Sequence, residues 1–188
     1  MTEEEYLAFD RASDWKHEYV GGKVIAMSGG TVFHGGIAVG VAAEFRVALR
    51  GRNCRVYSSD VRVHIPEKGS YVYPDVSVSC GRPQYKDATK DTLLNPKVVV
   101  EVLSPSSDDY DRGEKFDLYR SIPSLMHYVI AAQDKPLLEV HTRQNDGSWH
   151  CTVYGPGMKA AFAAIGCELE MDLVYGEVFD EPGEQTVG

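Results

Sequence analysis

The sequence has no long apolar run, no closely paired cysteines and no excess of positive charge. No hydrophobic stretch approaches the ~20 residues that a membrane-spanning helix needs, which excludes an integral helical membrane protein. The four cysteines form no Cys-x-x-Cys pair, so neither a zinc knuckle nor a dithiol redox motif is indicated. A formal net charge of −9 argues against a protein that coats DNA without sequence preference, because such binding depends on Lys and Arg neutralising phosphates.

A secretory leader is not indicated either. The chain opens with the acidic stretch Thr2-Glu3-Glu4-Glu5, where a signal peptide would carry basic residues. We therefore expect a cytoplasmic protein with no membrane association. Cysteines stay reduced in that compartment, so we interpret all of them as thiols. They are Cys54, Cys80, Cys151 and Cys167.

The composition is that of an ordinary globular protein, with 43% hydrophobic and 25% charged residues. A chain of 188 residues fits one hydrophobic core, so we expect a single folded domain over residues 1–180. Residues 181–188 carry Pro182, two glycines and little apolar mass. They bury too little surface to offset the entropy of ordering, which predicts a disordered tail.

Local patterns predict the first helices and strands. Thr2 and Glu5 form a capping-box pattern that predicts a short opening helix. Residues 18–27 alternate around Gly21-Gly22, which is typical of a β-hairpin. In residues 31–50 apolar side chains recur at every fourth position, which predicts a long helix with one buried face.

Strands are next predicted at residues 55–57, 61–65 and 71–80, and their spacing favours an antiparallel meander. The β-branched run 97–103 predicts a central strand that is buried on both faces. Residues 109–120 are expected to form a helix with acids in its first turn. The later predicted strands are residues 125–132, 137–142 and 149–154.

Glu101 is the most informative single residue. It stands inside the run Val98-Val99-Val100-Glu101-Val102-Leu103, which otherwise has the composition of a buried strand. Burying an ionised carboxylate without compensation costs several kcal/mol, so a cationic side chain or a bound metal is expected beside it. A structural ion pair is the simpler of these alternatives.

Asp75 is a second carboxylate in an unusual place, because Pro74 and Asp75 interrupt a predicted strand. Proline within a strand indicates an edge or a bulge, and bulges often direct side chains into active sites. A plain surface turn is the alternative. Two carboxylates from neighbouring strands would form an oxygen-rich site of the kind that Mg²⁺ prefers.

Lys115 lies in the helix predicted after Glu101, with Tyr119 four residues later on the same face. An ammonium group near a metal and two carboxylates could orient an attacking water and stabilise charge on a phosphate. On its own, the position is more typical of a solvated surface lysine.

In this order the motifs resemble the Uma-type restriction endonuclease family of the PD-(D/E)xK nuclease superfamily. The resemblance covers roughly residues 1–175. The matching segments are Glu18-Tyr19-Val20-Gly21-Gly22, His34, Tyr73-Pro74-Asp75-Val76, Glu101-Val102-Leu103-Ser104-Pro105-Ser106-Ser107, Asp111-Arg112-x-x-Lys115 and Tyr119.

The resemblance implies an α/β (α+β) fold with a restriction-endonuclease-like core, in which a mixed central sheet is flanked by helices. It also implies that Asp75 and Glu101 bind Mg²⁺, or Mn²⁺ in its place, with the Val102 carbonyl as a further ligand. Glu18 matches a family glutamate that lies beside the metal as an outer ligand or base. Opening the hairpin is its alternative role.

One departure from the wider superfamily concerns the lysine. The usual motif has lysine two positions after the glutamate, where this chain has Leu103. In the Uma-type family the lysine is thought to have moved to the following helix, and Lys115 matches that position. His34 matches the family as well, and we expect it to satisfy a helix start.

By this resemblance the chain is a Mg²⁺-dependent endodeoxyribonuclease that hydrolyses phosphodiesters with a metal-activated water. DNA is the expected substrate, although no helix-turn-helix, basic arm or aromatic stacking series is evident. Cutting both strands needs two active sites, so a homodimer is expected.

Two other interpretations stay open. The first is a catalytically silent nuclease fold that serves as a binding or assembly module, since a charge of −9 suits a protein partner better than DNA. The second is a hydrolase of another class, in which Cys54 or Cys80 is the nucleophile and His64 or His34 is the base.

Overall fold

The structure, a computed structural model, describes residues 1–103 and 113–179. Four α-helices lie within these ranges: α1 (Glu3–Ala12), α2 (Val32–Ala48), α3 (Glu114–Tyr119) and α4 (Met171–Phe179). The first strands are β1 (His17–Val20), β2 (Lys23–Ala26), β3 (Cys54–Ser58), β4 (Arg62–Ile65), β5 (Ser70–Val72), β6 (Val76–Cys80) and β7 (Thr92–Leu93). They are followed by β8 (Val98–Val102), β9 (His127–Ala131), β10 (Leu138–Arg143), β11 (Trp149–Tyr154), β12 (Lys159–Phe162) and β13 (Cys167–Glu170).

The central feature is a six-stranded mixed sheet in the order β11-β10-β9-β8-β6-β3. Its one parallel pair is β8 with β9, and the other neighbours are antiparallel. A second sheet of five strands has the order β2-β1-β5-β4-β7, and β12 pairs with β13 in a separate hairpin.

Both faces of the six-stranded sheet are covered. Val100 and Val129 point into one core, which they share with Phe45 of α2. The intervening residues Val99 and Tyr128 point into the other core, which also receives side chains of β4, β5 and α3. The strand predicted at residues 97–103 is therefore central and buried on both faces, as expected from its β-branched composition.

The local signals near the N-terminus are confirmed. The Thr2 hydroxyl accepts the Glu5 amide while the Glu5 carboxylate accepts the Thr2 amide, so the capping box forms. Gly21 and Gly22 turn the β1–β2 hairpin with φ values of 57° and 83°, a conformation that costs glycine little.

The long helix α2 packs against α4, which the patterns above did not predict. A Cβ atom at Gly40 would lie 2.3 Å from the Val174 carbonyl oxygen, so glycine is required at this helix crossing. None of the helices in residues 1–103 and 113–179 is long and apolar enough to cross a bilayer.

The predicted antiparallel meander is wrong. The β3–β6 and β4–β5 pairs are antiparallel, but they belong to different sheets. The chain passes from one sheet to the other after β3 and returns through Tyr73-Pro74-Asp75. Alternation within a strand identifies its faces and does not identify its neighbour, so the pattern could not separate the two arrangements.

The prediction of reduced cysteines is wrong for Cys54 and Cys80. These residues lie directly opposite each other on β3 and β6 and form a disulfide. Cys151 and Cys167 are thiols. The disulfide was not evident in the sequence because strand register, rather than spacing along the chain, brings the two sulfurs together.

Some predictions concern residues that the structure does not describe. The predicted helix at 109–120 is observed from Glu114 to Tyr119, while its start at 109–112 lies outside the described residues. The family-like segments at 104–107 and 111–112 and the tail at 181–188 also lie outside the described residues. A single domain over residues 1–180 stays a prediction.

His127 is a fully buried histidine at the start of β9. Its Nε2 accepts the Ala164 amide at 3.4 Å, so the proton is on Nδ1, which lies 3.0 Å from the Thr142 hydroxyl. Burial lowers the pKa of His127 to about 4. The native protein therefore holds this side chain neutral over most of the pH range.

The consequence is a loss of stability in acid. Between pH ~6.5 and pH ~4 the unfolded chain binds a proton at His127 that the native protein does not bind. The free energy of unfolding therefore decreases as the pH is lowered through this range. Replacing His127 with Asn should reduce the loss between pH 7 and pH 4 by about 3 kcal/mol in urea denaturation. His150→Asn, at an exposed position of β11, is the control and should lose stability as the wild type does. Equal losses in His127→Asn and wild type would contradict the prediction.

Candidate active site

Asp75 and Glu101 come together because β6 and β8 are antiparallel neighbours. Val76 lies opposite Val100 in the ladder, and continuing this register by one residue places Asp75 beside Glu101. The Val102 amide donates a hydrogen bond to Asp75 Oδ2 at 2.7 Å, which fixes the carboxylate at the end of the ladder. The structure thus places this amide against Asp75, and a role for the Val102 carbonyl as a metal ligand stays a prediction.

Asp75 owes its position to the segment that connects the two sheets. Tyr73 and Pro74 follow β5, and Asp75 immediately precedes β6, so the predicted interruption of the strand is a passage between sheets. The Tyr73 amide donates to Glu18 Oε1 at 3.1 Å. Glu18 on β1 therefore anchors the segment that carries Asp75.

A buried ion pair between Asp10 and Arg62 also holds this segment. The Tyr73 hydroxyl donates to Asp10 Oδ2 at 2.6 Å, and Arg62 Nη1 donates to the same oxygen at 2.9 Å. Burial, followed by the hydrogen bond to Asp10, raises the pKa of Tyr73, so it remains a donor. The two charged side chains compensate each other at 3% exposure each, which keeps Tyr73 in a defined place.

Glu101 lies within β8 and is only 4% exposed. Two donors from α3 reach one of its oxygens: Lys115 Nζ at 3.1 Å and the Tyr119 hydroxyl at 2.7 Å from Oε1. The cationic partner that its burial demanded is therefore present. Burial and the neighbouring Glu101 charge raise the pKa of Tyr119 well above its usual value, so its hydroxyl stays protonated.

Lys115 joins two buried carboxylates. Its Nζ lies 3.1 Å from Glu101 Oε1 and 3.4 Å from Glu18 Oε1, and the residue is 7% exposed. The solvated-lysine interpretation of this position is therefore wrong. Lys115 and Tyr119 are one helical turn apart, which is why both reach the same glutamate.

His34 lies closer to the site than expected. Its backbone amide is capped by the Thr31 hydroxyl at 3.1 Å, so Thr31 satisfies the helix start that we assigned to His34. The imidazole Nε2 instead lies 3.3 Å from Asp75 Oδ2. The position of His34 in the first turn of α2 was a sequence signal, but its contact with Asp75 depends on packing between α2 and the sheet.

The donor set fits a hard divalent cation. Asp75, Glu101 and Glu18 carry three formal negative charges and Lys115 carries one positive charge, which leaves a formal charge of −2. Mg²⁺ binds through one or two carboxylates and retains several waters, so Asp75 and Glu101 suffice as its protein ligands. Neither a sulfur ligand nor an imidazole ligand is needed.

The cysteine nucleophile considered above finds no support. Cys54 and Cys80 are bonded to each other, so neither sulfur is available to attack a substrate. His64 lies 3.3 Å from Glu3 and stacks on Tyr71, in the five-stranded sheet rather than beside the disulfide.

Comparisons with known proteins agree with this architecture. A model of the Uma2 family, described as "Putative restriction endonuclease", matches residues 3–173. Two relatives from a Synechocystis strain are named "Uncharacterized protein slr1290" and "Uncharacterized protein sll1609". The first is 34% identical over 93% of this chain and 91% of its own length. The second is 30% identical over 81% of this chain and 86% of its own length.

A crystal structure from Anabaena variabilis, described as a putative nuclease belonging to DUF820, matches with a TM-score of 0.76. The match covers 95% of this chain and 99% of that one at 16% identity, so it shows the fold. The predicted mixed sheet flanked by helices is confirmed.

Removing the ammonium should expose the cost of burying two carboxylates. Lys115→Met should lower the free energy of unfolding by about 3–5 kcal/mol in metal-free buffer, measured by urea denaturation. Lys135→Met, at an exposed turn position, is the matched control and should change it by less than about 0.5 kcal/mol. Adding Glu101→Gln to Lys115→Met should recover part of the loss. Full stability of Lys115→Met alone would mean that the carboxylates do not need this cation.

Proposed function

This chain belongs to the Uma2 family, as its motifs predicted, and on that premise we propose that it is a metal-dependent endodeoxyribonuclease. The observation that carries the proposal is the contact of one buried ammonium, Lys115, with the carboxylates of Glu101 and Glu18, beside Asp75. Such a group of acids is costly to bury, and groups of this kind are typical of functional sites, where they can hold a cation at the site of reaction.

Asp75 and Glu101 are the residues that would hold Mg²⁺, or Mn²⁺ in its place, with the Val102 carbonyl as a further ligand. The bound metal would lower the pKa of a water molecule and offset charge on the phosphate. His34, at 3.3 Å from Asp75, would keep that carboxylate in orientation.

Lys115 would orient the attacking water and stabilise charge that builds on the phosphate oxygens. In the reaction, the water oxygen forms a bond to phosphorus, one phosphorus–oxygen ester bond breaks, and the departing oxygen takes up a proton. Glu18, whose Oε1 lies 3.4 Å from Lys115 Nζ, would accept the proton that the water releases.

DNA is the proposed substrate because of the family description. The formal charge of −9 gives no general attraction to phosphates, so binding would depend on the metal and on local contacts. Cutting both strands of a duplex requires two active sites, and we propose a homodimer as the active form.

A direct test combines metal binding with plasmid cleavage. The wild type should bind Mg²⁺ or Mn²⁺ in calorimetry and convert supercoiled plasmid to nicked and linear forms. Asp75→Asn and Glu101→Gln should each lower the cleavage rate at least about 100-fold and weaken metal binding, because each removes one proposed ligand. Glu168→Gln, at an exposed position of β13, is the matched control and should behave as the wild type.

The same measurements distinguish the nuclease from the alternative function. A folded wild-type protein that binds neither Mg²⁺ nor Mn²⁺ would overturn the nuclease proposal and favour a silent binding or assembly module. Circular dichroism of each variant separates loss of chemistry from loss of fold.

A further inference from the structure

A second group of possible metal ligands lies on the edge hairpin of the six-stranded sheet. Ligand atoms of Glu139, His141 and Cys151 all lie within 4.8 Å of one another. Glu139 and His141 are two residues apart on β10 and so share one face, and Cys151 on β11 is directly opposite His141. Regular strand pairing, rather than a loop, sets their geometry.

We propose that these three side chains form a binding site for Zn²⁺ or a similar borderline transition-metal ion. A thiolate, an imidazole and a carboxylate are all ligands of zinc, and thiolate excludes Mg²⁺ as the preferred ion. Three protein ligands leave a fourth tetrahedral position for water or a ligand from outside. Zn²⁺ with one carboxylate, one thiolate and a neutral imidazole is formally uncharged, so the complex carries no excess charge.

The imidazole is held in place by its neighbours. The centroid of the Phe116 ring lies 4.8 Å from the centroid of the His141 ring, and the centroid of the Tyr128 ring lies 6.1 Å from it. These contacts limit the rotation of His141 and so reduce the entropy lost when a metal binds. Cys151 is exposed, while Glu139 and His141 are half-buried, so an ion can enter from solvent.

This site is distinct from the proposed nuclease centre, although both occupy the same face of the sheet. Glu101 is the register partner of Ile130, and Ile130 is the partner of Glu139. Two strand spacings therefore separate Glu101 from Glu139, or ~10 Å between backbones. The nuclease centre offers oxygen ligands and a lysine, whereas the hairpin offers sulfur, nitrogen and oxygen, so the two should select different metals.

The binding step requires no further reactant. The Cys151 thiol loses its proton to buffer, a sulfur–metal bond forms, and the ion gives up hydration water as each ligand replaces it. Binding should therefore release one proton and strengthen as pH rises. No other thiol competes at this hairpin, because Cys54 and Cys80 form a disulfide and Cys167 is buried on β13.

The test is titration of the full chain with Co²⁺, which is coloured, followed by displacement with Zn²⁺. The wild type should bind one Co²⁺ through sulfur, seen as a thiolate-to-cobalt charge-transfer band, and Zn²⁺ should remove that band. Cys151→Ser should abolish it, and His141→Gln should weaken Co²⁺ binding at least about 10-fold. His150→Gln, next to Cys151 on β11 but on the opposite face, is the matched control and should leave binding unchanged.

The same titration distinguishes the two metal sites. Asp75→Asn should retain the charge-transfer band, and an excess of Mg²⁺ should not remove it. A wild type without the band, or a band that survives in Cys151→Ser, would overturn the proposal. Neither result depends on nuclease activity, so failure of this site and failure of the nuclease proposal are separate findings.

Discussion

The ammonium of Lys115 holds two carboxylates, Glu18 and Glu101, in a region from which most water is removed. Each partner comes from a different part of the fold: β1 of the five-stranded sheet, β8 of the six-stranded sheet, and α3. A buried charge without a partner costs several kcal/mol, so the pairing favours the relative arrangement of these three elements in which the charges meet. The same arrangement that satisfies the charges also assembles the acids beside Asp75.

The sequence revealed those site residues that are unusual for their local surroundings. Glu101 within a run of valines demanded a partner, and Asp75 after proline marked an interruption of a strand. Each of the two signals is contained within its own stretch of fewer than ten residues. What escaped prediction depends on partners far along the chain: the separation of β4 and β5 into another sheet, the Cys54–Cys80 disulfide, and the contact of His34 with Asp75. Local alternation carries no information about such pairings.

The face of the six-stranded sheet that carries Glu101 also carries a second group of polar side chains with different donor atoms. Strand β8, at its centre, supplies an acid that is 4% exposed and compensated by a lysine. Toward the outer edge, β10 and β11 place Glu139, His141 and Cys151 nearer to solvent. Tyr128 and Ile130 on β9 lie between the two groups and separate them with buried apolar surface. The oxygen donors at the centre of this face and the sulfur and nitrogen donors near its edge are thus separated within one sheet.

Asp10 accepts hydrogen bonds from Arg62 and from the hydroxyl of Tyr73, the residue that precedes Pro74 and Asp75. A change at either residue would displace the chain where it passes from one sheet to the other and move Asp75 with it. Under the proposed function, such substitutions would lower activity although they leave the acidic residues themselves unchanged. The contacts that position Asp75 therefore extend beyond the acidic group to α1 and β4, two elements that contribute none of its carboxylates.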